Sequence, residues 1–161
     1  MKDFDKNVSH GIEGKEKHNI TKNAEQKEIR ALRICPDMLP YEVIINKMLP
    51  GLEEAIGGGI EVVYPFDDPV AVIVHAEGKL IGLKPNRALR YDGVIYDIVA
   101  GDFLIVGYRK GYFCSLPPNL MKKYRHLFYQ PEMFFVVNDN IVTLPLPDDM
   151  VKSPEGQLPN C

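Results

Sequence analysis

The chain has 161 residues, 45% of them hydrophobic and 25% charged, which suits one ordinary domain with a real core. Its net charge of -3, with both signs interspersed, excludes the basic field that neutralises a row of phosphates, so nucleic acid is an unlikely partner. No apolar run reaches the roughly 18 residues of a membrane span and the N-terminus is charged, so the reading is a cytoplasmic protein with no membrane partner.

Residues 1–27 alternate Lys, Asp, Glu, Asn and His with few large apolar side chains, and they predict a disordered arm. His10 and His18 within it read as solvated side chains. From there to residue 147 the pattern predicts a single α+β domain, mostly an antiparallel meandering sheet with two short helices and about nine strands, followed by a flexible tail over 148–161.

Two β-rich runs, 28–34 and 41–45, read as a hairpin across the connection from Pro36 to Pro40. Met48, Leu49, Leu52, Ala55 and Ile56 recur at spacings of three and four, the stripe of a short helix that opens near Pro50 and stops at three consecutive glycines, Gly57 to Gly59. Ile60, Val62, Tyr64 and Phe66 then alternate along a strand that Pro65 assigns to a sheet edge. Residues 70–74 are uniformly apolar and read as a central strand covered on both faces.

A turn at Glu77-Gly78 leads to a predicted strand return over 79–83, and Pro85 is expected to begin an irregular segment. Strands over 94–99 and 103–106 flank Ala100-Gly101-Asp102, and a turn at Arg109-Lys110-Gly111 leads into Tyr112 to Cys114. Leu120, Met121, Tyr124, Leu127 and Phe128 form the stripe of a second helix whose Lys122, Lys123, Arg125 and His126 face water. Runs at 133–137 and 141–146, joined by Asn138-Asp139-Asn140, predict a closing hairpin.

Chemistry-bearing residues are few. Gly57 to Gly59 follow a helix rather than open one, and a helix C-terminus presents carbonyls, which repel phosphate, so a phosphate-loop reading fails on geometry. Cys35, Cys114 and Cys161 are odd in number, without metal or redox spacing, and read as reduced thiols; no metal and no cofactor is expected. No catalytic residue is assigned. His75-Ala76-Glu77-Gly78-Lys79 gathers an imidazole, a carboxylate and an ammonium at a turn, which reads either as a base with an anion-steadying lysine or as turn residues facing water. Asn86-Arg87 reads either as a clamp for a ligand's carboxylate or phosphate, or as a fastening in which Asn86 satisfies its own backbone and Arg87 pairs with Glu61 or Asp102. The candidate ligand- or partner-binding set is therefore Glu61, Glu77, Lys79, Asn86 and Arg87.

An ordered series of short motifs runs through this region. It comprises Leu49, Leu52, Gly57, Gly58, Ile60 and Glu61, then Glu77 to Lys79, then Pro85 to Ala88. Ala100, Gly101, Phe103, Ile105 to Gly107, Ser115, Leu116, Tyr124 and Phe128 complete it. The series resembles the uncharacterised bacterial family catalogued as domain of unknown function 3846, with His75-Ala76 where members commonly have Asn-Glu. The resemblance implies carriage on plasmids, phages or integrative elements, and it implies no activity. The leading functional expectation is a small accessory protein of a mobile element that associates non-covalently with a host or element-encoded protein. The alternative is a protein that binds a nucleotide or metabolite, or an enzyme, with its polar site at residues 77–87.

Overall fold

The computed structural model describes residues 26–154. The arm predicted over 1–27, except for its last two residues, lies outside the described residues, as does the tail from 155. The described chain runs β1 Glu28–Ile34, β2 Tyr41–Asn46, α1 Leu49–Ile56, β3 Ile60–Val63, β4 Val70–His75, β5 Pro85–Tyr91, β6 Val94–Ala100, β7 Phe103–Arg109, β8 Tyr112–Cys114, α2 Pro118–Leu127, β9 Glu132–Val137 and β10 Asn140–Pro145. This is the α+β class expected, with ten strands and two α-helices.

Six strands form the main sheet in the order β2-β1-β7-β4-β3, with β8 paired to the far end of β7, and every neighbouring pair is antiparallel. β7 and β4 sit at its centre because their runs are apolar at successive positions, which suits a strand buried on both faces. On one face, Leu52 and Ile56 of α1 pack with Ile29, Ala31, Ile45, Ala71, Ile73, Leu104 and Val106. On the other, Leu120, Met121 and Tyr124 of α2 pack with Leu32, Ile34, Val70, Val72, Phe103 and Ile105, and Leu89 and Val99 of the β5–β6 hairpin join them. α1 stops where predicted: Gly57 takes φ 88°, a left-handed conformation that costs glycine nothing, and its N–H bonds Glu53 O at 2.8 Å.

Three expectations need correction. Residues 79–83 form no strand; they are turns, with Ile81 N–H bonded to Glu77 O at 3.0 Å and Leu83 N–H to Gly78 O at 2.9 Å. The returning strand is instead β5, beginning at Pro85, in the stretch expected to be irregular. A proline at the first position of a strand is tolerated, so Pro85 marked a strand start rather than a break. β3 ends at Val63, short of Phe66, whose ring turns inward against Tyr124 at 4.7 Å.

The C-terminal hairpin β9–β10 is a separate two-stranded sheet, and β5–β6 is another. Beyond it the chain is held at least to Lys152: a 3-10 turn spans Asp148–Met150, Lys152 N–H bonds Asp37 O at 2.7 Å, and Leu39 N–H bonds Lys152 O at 3.2 Å. One glycine constrains how β5–β6 meets the main sheet. Gly101 takes φ 82° in the turn between β6 and β7, and a Cβ there would lie 2.6 Å from Leu83.

Candidate functional site

The five candidate residues divide between two places. Asn86 and Arg87 are buried, each 1% exposed, whereas Glu61, Glu77 and Lys79 are at the surface.

A β-bulge explains how two adjacent polar side chains both enter the interior. Pro85 pairs with Ala100 and Arg87 with Val99, leaving Asn86 as the extra residue. Successive residues of a regular strand point to opposite faces, and the bulge suspends that alternation. The Asn86 amide donates from Nδ2 to Ile34 O at 2.9 Å and to Gly101 O at 2.8 Å, and its Oδ1 accepts from Arg87 Nη1 at 2.9 Å. Arg87 donates from Nε to Phe128 O at 3.0 Å and from Nη2 to Met38 O at 2.7 Å. Phe128 closes α2, so its carbonyl is one the helix cannot satisfy itself, and a cation at that end also suits the helix dipole. Burial pushes the Arg87 guanidinium down to about 10, with Glu132 the largest opposing influence, so it stays charged at neutral pH.

Neither of the fastenings expected for this pair is the one found. Asn86 bonds carbonyls of β1 and of the β6–β7 turn instead of its own turn, and Arg87 bonds main-chain carbonyls instead of Glu61 or Asp102. Asp102 belongs to Arg33, whose Nη2 donates to it at 2.7 Å on the α1 side of the sheet. The guanidinium of Arg87 is thus committed to joining β5, the β1–β2 connection and the end of α2.

Glu61, Glu77 and Lys79 line a cleft of about 320 Å³ with Leu89, Asp97 and Val99. Lys79 Nζ pairs with Asp97 of β6, and both side chains are about half exposed. His75 does not stand ready there as a base. Its Nδ1 accepts the Glu77 N–H at 3.0 Å, and its ring lies against Gly58, where a Cβ would come within 2.4 Å of Nε2. The second of the three glycines is thus the space into which that ring fits.

A second recess, of about 270 Å³, lies where the two hairpins and the end of α2 meet. Phe66, Leu89, Tyr96, Leu127, Phe128 and Leu144 supply its apolar wall. Glu132 crosses its end: Oε2 accepts the Ala88 N–H at 2.8 Å and Oε1 pairs with Arg90, whose Nη2 also donates to Thr143 Oγ1 at 3.0 Å. Around this groove Tyr96, Leu127 and Leu144 are exposed. The sequence reading did not single it out, because its wall comes from five separate stretches of chain.

Among the described residues no group of three His, Cys, Asp or Glu side chains is placed to hold a metal ion. No helix among them is long and apolar enough to cross a membrane. The family model described as domain of unknown function (DUF3846) matches residues 29–129, well over half of the chain. The chain belongs to the DUF3846 family. The match spans the main sheet from Ile29 onward, the β5–β6 hairpin and α2, and it ends before β9. Comparisons with curated proteins and with solved structures returned no match.

Proposed function

We propose that this DUF3846 protein is an accessory protein that works by non-covalent association with another protein, receiving a side chain of its partner in the groove between the two hairpins. One observation carries the reading: the groove has an apolar floor, a positioned pair of polar groups in Arg90 and Glu132, and a rim of exposed Tyr96, Leu127 and Leu144. Recesses that bind combine those features, with apolar area for affinity and a few fixed polar groups for orientation. A cytoplasmic setting on a bacterial mobile element is part of the proposal and rests on the family resemblance and the composition alone.

The cleft at Glu61, Glu77 and Lys79 supports a second reading, a nucleotide or metabolite site, because three of the five candidate residues converge on one recess. The two are separated by pairing a host-extract capture with a thermal-shift screen of nucleotides and metabolites. The first reading expects one stoichiometric protein retained by the parent chain and lost from Leu127→Asp. A small molecule at 100 times its dissociation constant would add about 2.7 kcal/mol of stability. Such a shift, abolished by Lys79→Ala while the capture stays empty, would transfer the function to the cleft.

A further inference from the structure

The two outer edges of the main sheet are protected in the usual ways. β3 is four residues long and runs into Pro65, and β2 carries a charged Glu42 that pairs diagonally with Arg30. β10 is longer, six residues, and carries no charged side chain; its one proline, Pro145, stands at its last position. From residue 133 to 147 the one charged residue is Asp139, in the turn. Phe135, Val137, Val142 and Leu144 alternate onto one face, all exposed, and Val136 and Ile141 are exposed on the other. A two-stranded hairpin so apolar is marginal in water by itself.

The free edge has a definite hydrogen-bonding frame. Asn138 and Asp139 take φ 49° and 61°, the two-residue turn that makes Val137 and Asn140 a bonded pair. Bonded and non-bonded pairs alternate from there, and the Leu146 N–H to Pro131 O bond at 2.9 Å continues the series. The N–H and C=O of Ile141 and Thr143 therefore point out of the hairpin, and among the described residues no third strand pairs with β10.

The geometry points to a second copy of this chain, added through β10, as the partner of that edge. With β10 antiparallel to itself about a two-fold axis at Val142, Ile141 of each copy faces Thr143 of the other. Both carry outward groups, so two bonded pairs form. Val142 faces its counterpart in the closer, non-bonded pairing, and Leu144 faces Asn140. A two-fold axis sets a patch against itself, which brings like charges together on most surfaces; β10 contributes no charged side chain of its own, and the Arg90 that bonds Thr143 is paired with Glu132. Pro145, which has no N–H, falls opposite the turn and outside the frame. The product is a continuous four-stranded sheet, and three or more strands are what an independently stable sheet requires.

Sedimentation velocity of the full chain across the micromolar range tests this. The parent is expected to dimerise, and Val142→Asp, which places like charges directly opposite, to raise the dissociation constant by about a hundredfold or more. Ile141→Pro removes an N–H that points away from β9, so the hairpin persists while half of the frame's donors are lost. Should Val142→Asp fold poorly, Val142→Cys decides. Opposed residues of a non-bonded antiparallel pair lie about 4.5 Å apart, within reach of a disulfide, so mild oxidation should link two copies there and not through Asn138→Cys. A parent that stays monomeric overturns the proposal, as does a dimer indifferent to the variants or a failure of Val142→Cys to cross-link above the control. A monomer that instead recruits a vesicle or a different protein through β10 assigns the edge to another occupant and overturns it equally.

Discussion

Asn86-Arg87 and Glu77-Gly78-Lys79 are two polar clusters on either side of one turn, and they have opposite fates. The first is folded into the interior by a β-bulge and consumed by main-chain carbonyls of four other segments. The second lies on the surface, where Lys79 holds a half-exposed partner in Asp97 and Glu77 bonds through its backbone. The lesson is that a charge-bearing motif signals a ligand site only if its donors are left over after the fold has taken what it needs. All three nitrogens of Arg87 donate to the architecture.

Substitutions at the two clusters put that contrast to the test. The largest effect is expected from Arg87→Ala, which strands the Phe128 and Met38 carbonyls and opens a cavity. Each unmet buried group costs about 1 to 3 kcal/mol, so a loss on the order of 3 kcal/mol or more should appear as a lower urea midpoint. Arg87→Lys should recover little, because one ammonium cannot reach carbonyls in three directions. A variant of normal stability would return Arg87 to the list of ligand-binding candidates.

Asn86→Ala comes next, at about 2 to 3 kcal/mol, since it removes the amide that bonds Ile34 and Gly101 and the acceptor that steadies Arg87. A midpoint within error of the parent would show that water replaces the amide, and that the bulge is not held by it.

An intermediate case is Asp68, which accepts from Tyr124 Oη at 2.6 Å and from Lys123 Nζ at 2.5 Å. Bonds from Lys123 and then Tyr124 hold its carboxyl below the usual carboxylate range, while burial first, and the bond to Asp68 second, push the Tyr124 phenol up. The folded pKa of Asp68 is depressed, so its contribution is present above the unfolded value near 3.8 and is lost as pH falls through the folded one. Melting curves of Asp68→Asn and the parent should therefore differ at neutral pH and converge in acid. Curves that stay parallel into strong acid would refute the assignment.

The smallest effects belong to the surface cluster. Glu77→Ala and Lys79→Ala should each change stability by less than about 1 kcal/mol, the range of exposed ion pairs. A large loss at either position would make the cleft as architectural as the Asn86-Arg87 network and remove the basis of the second functional reading.

Much of this organisation was already legible in the chain. The α1 stripe ending at Gly57, the two-sided apolar run of β4, the α2 stripe and the Asn138-Asp139 turn are local patterns. Each depends on periodicity or on a residue that tolerates a left-handed backbone, and local patterns survive without knowledge of neighbours. That Asp139 is the one charged residue from 133 to 147 was equally visible, although nothing in the sequence says which edges lie open. Tertiary structure alone decided the rest. It exchanged the predicted strand at 79–83 for turns and made a strand of 85–91, because a bulge that buries consecutive residues breaks the alternation by which strands are recognised. It also chose the partners of Arg87: one carbonyl from Met38, one from Phe128 and the Asn86 amide, main-chain groups that every residue has and that no sequence pattern can distinguish.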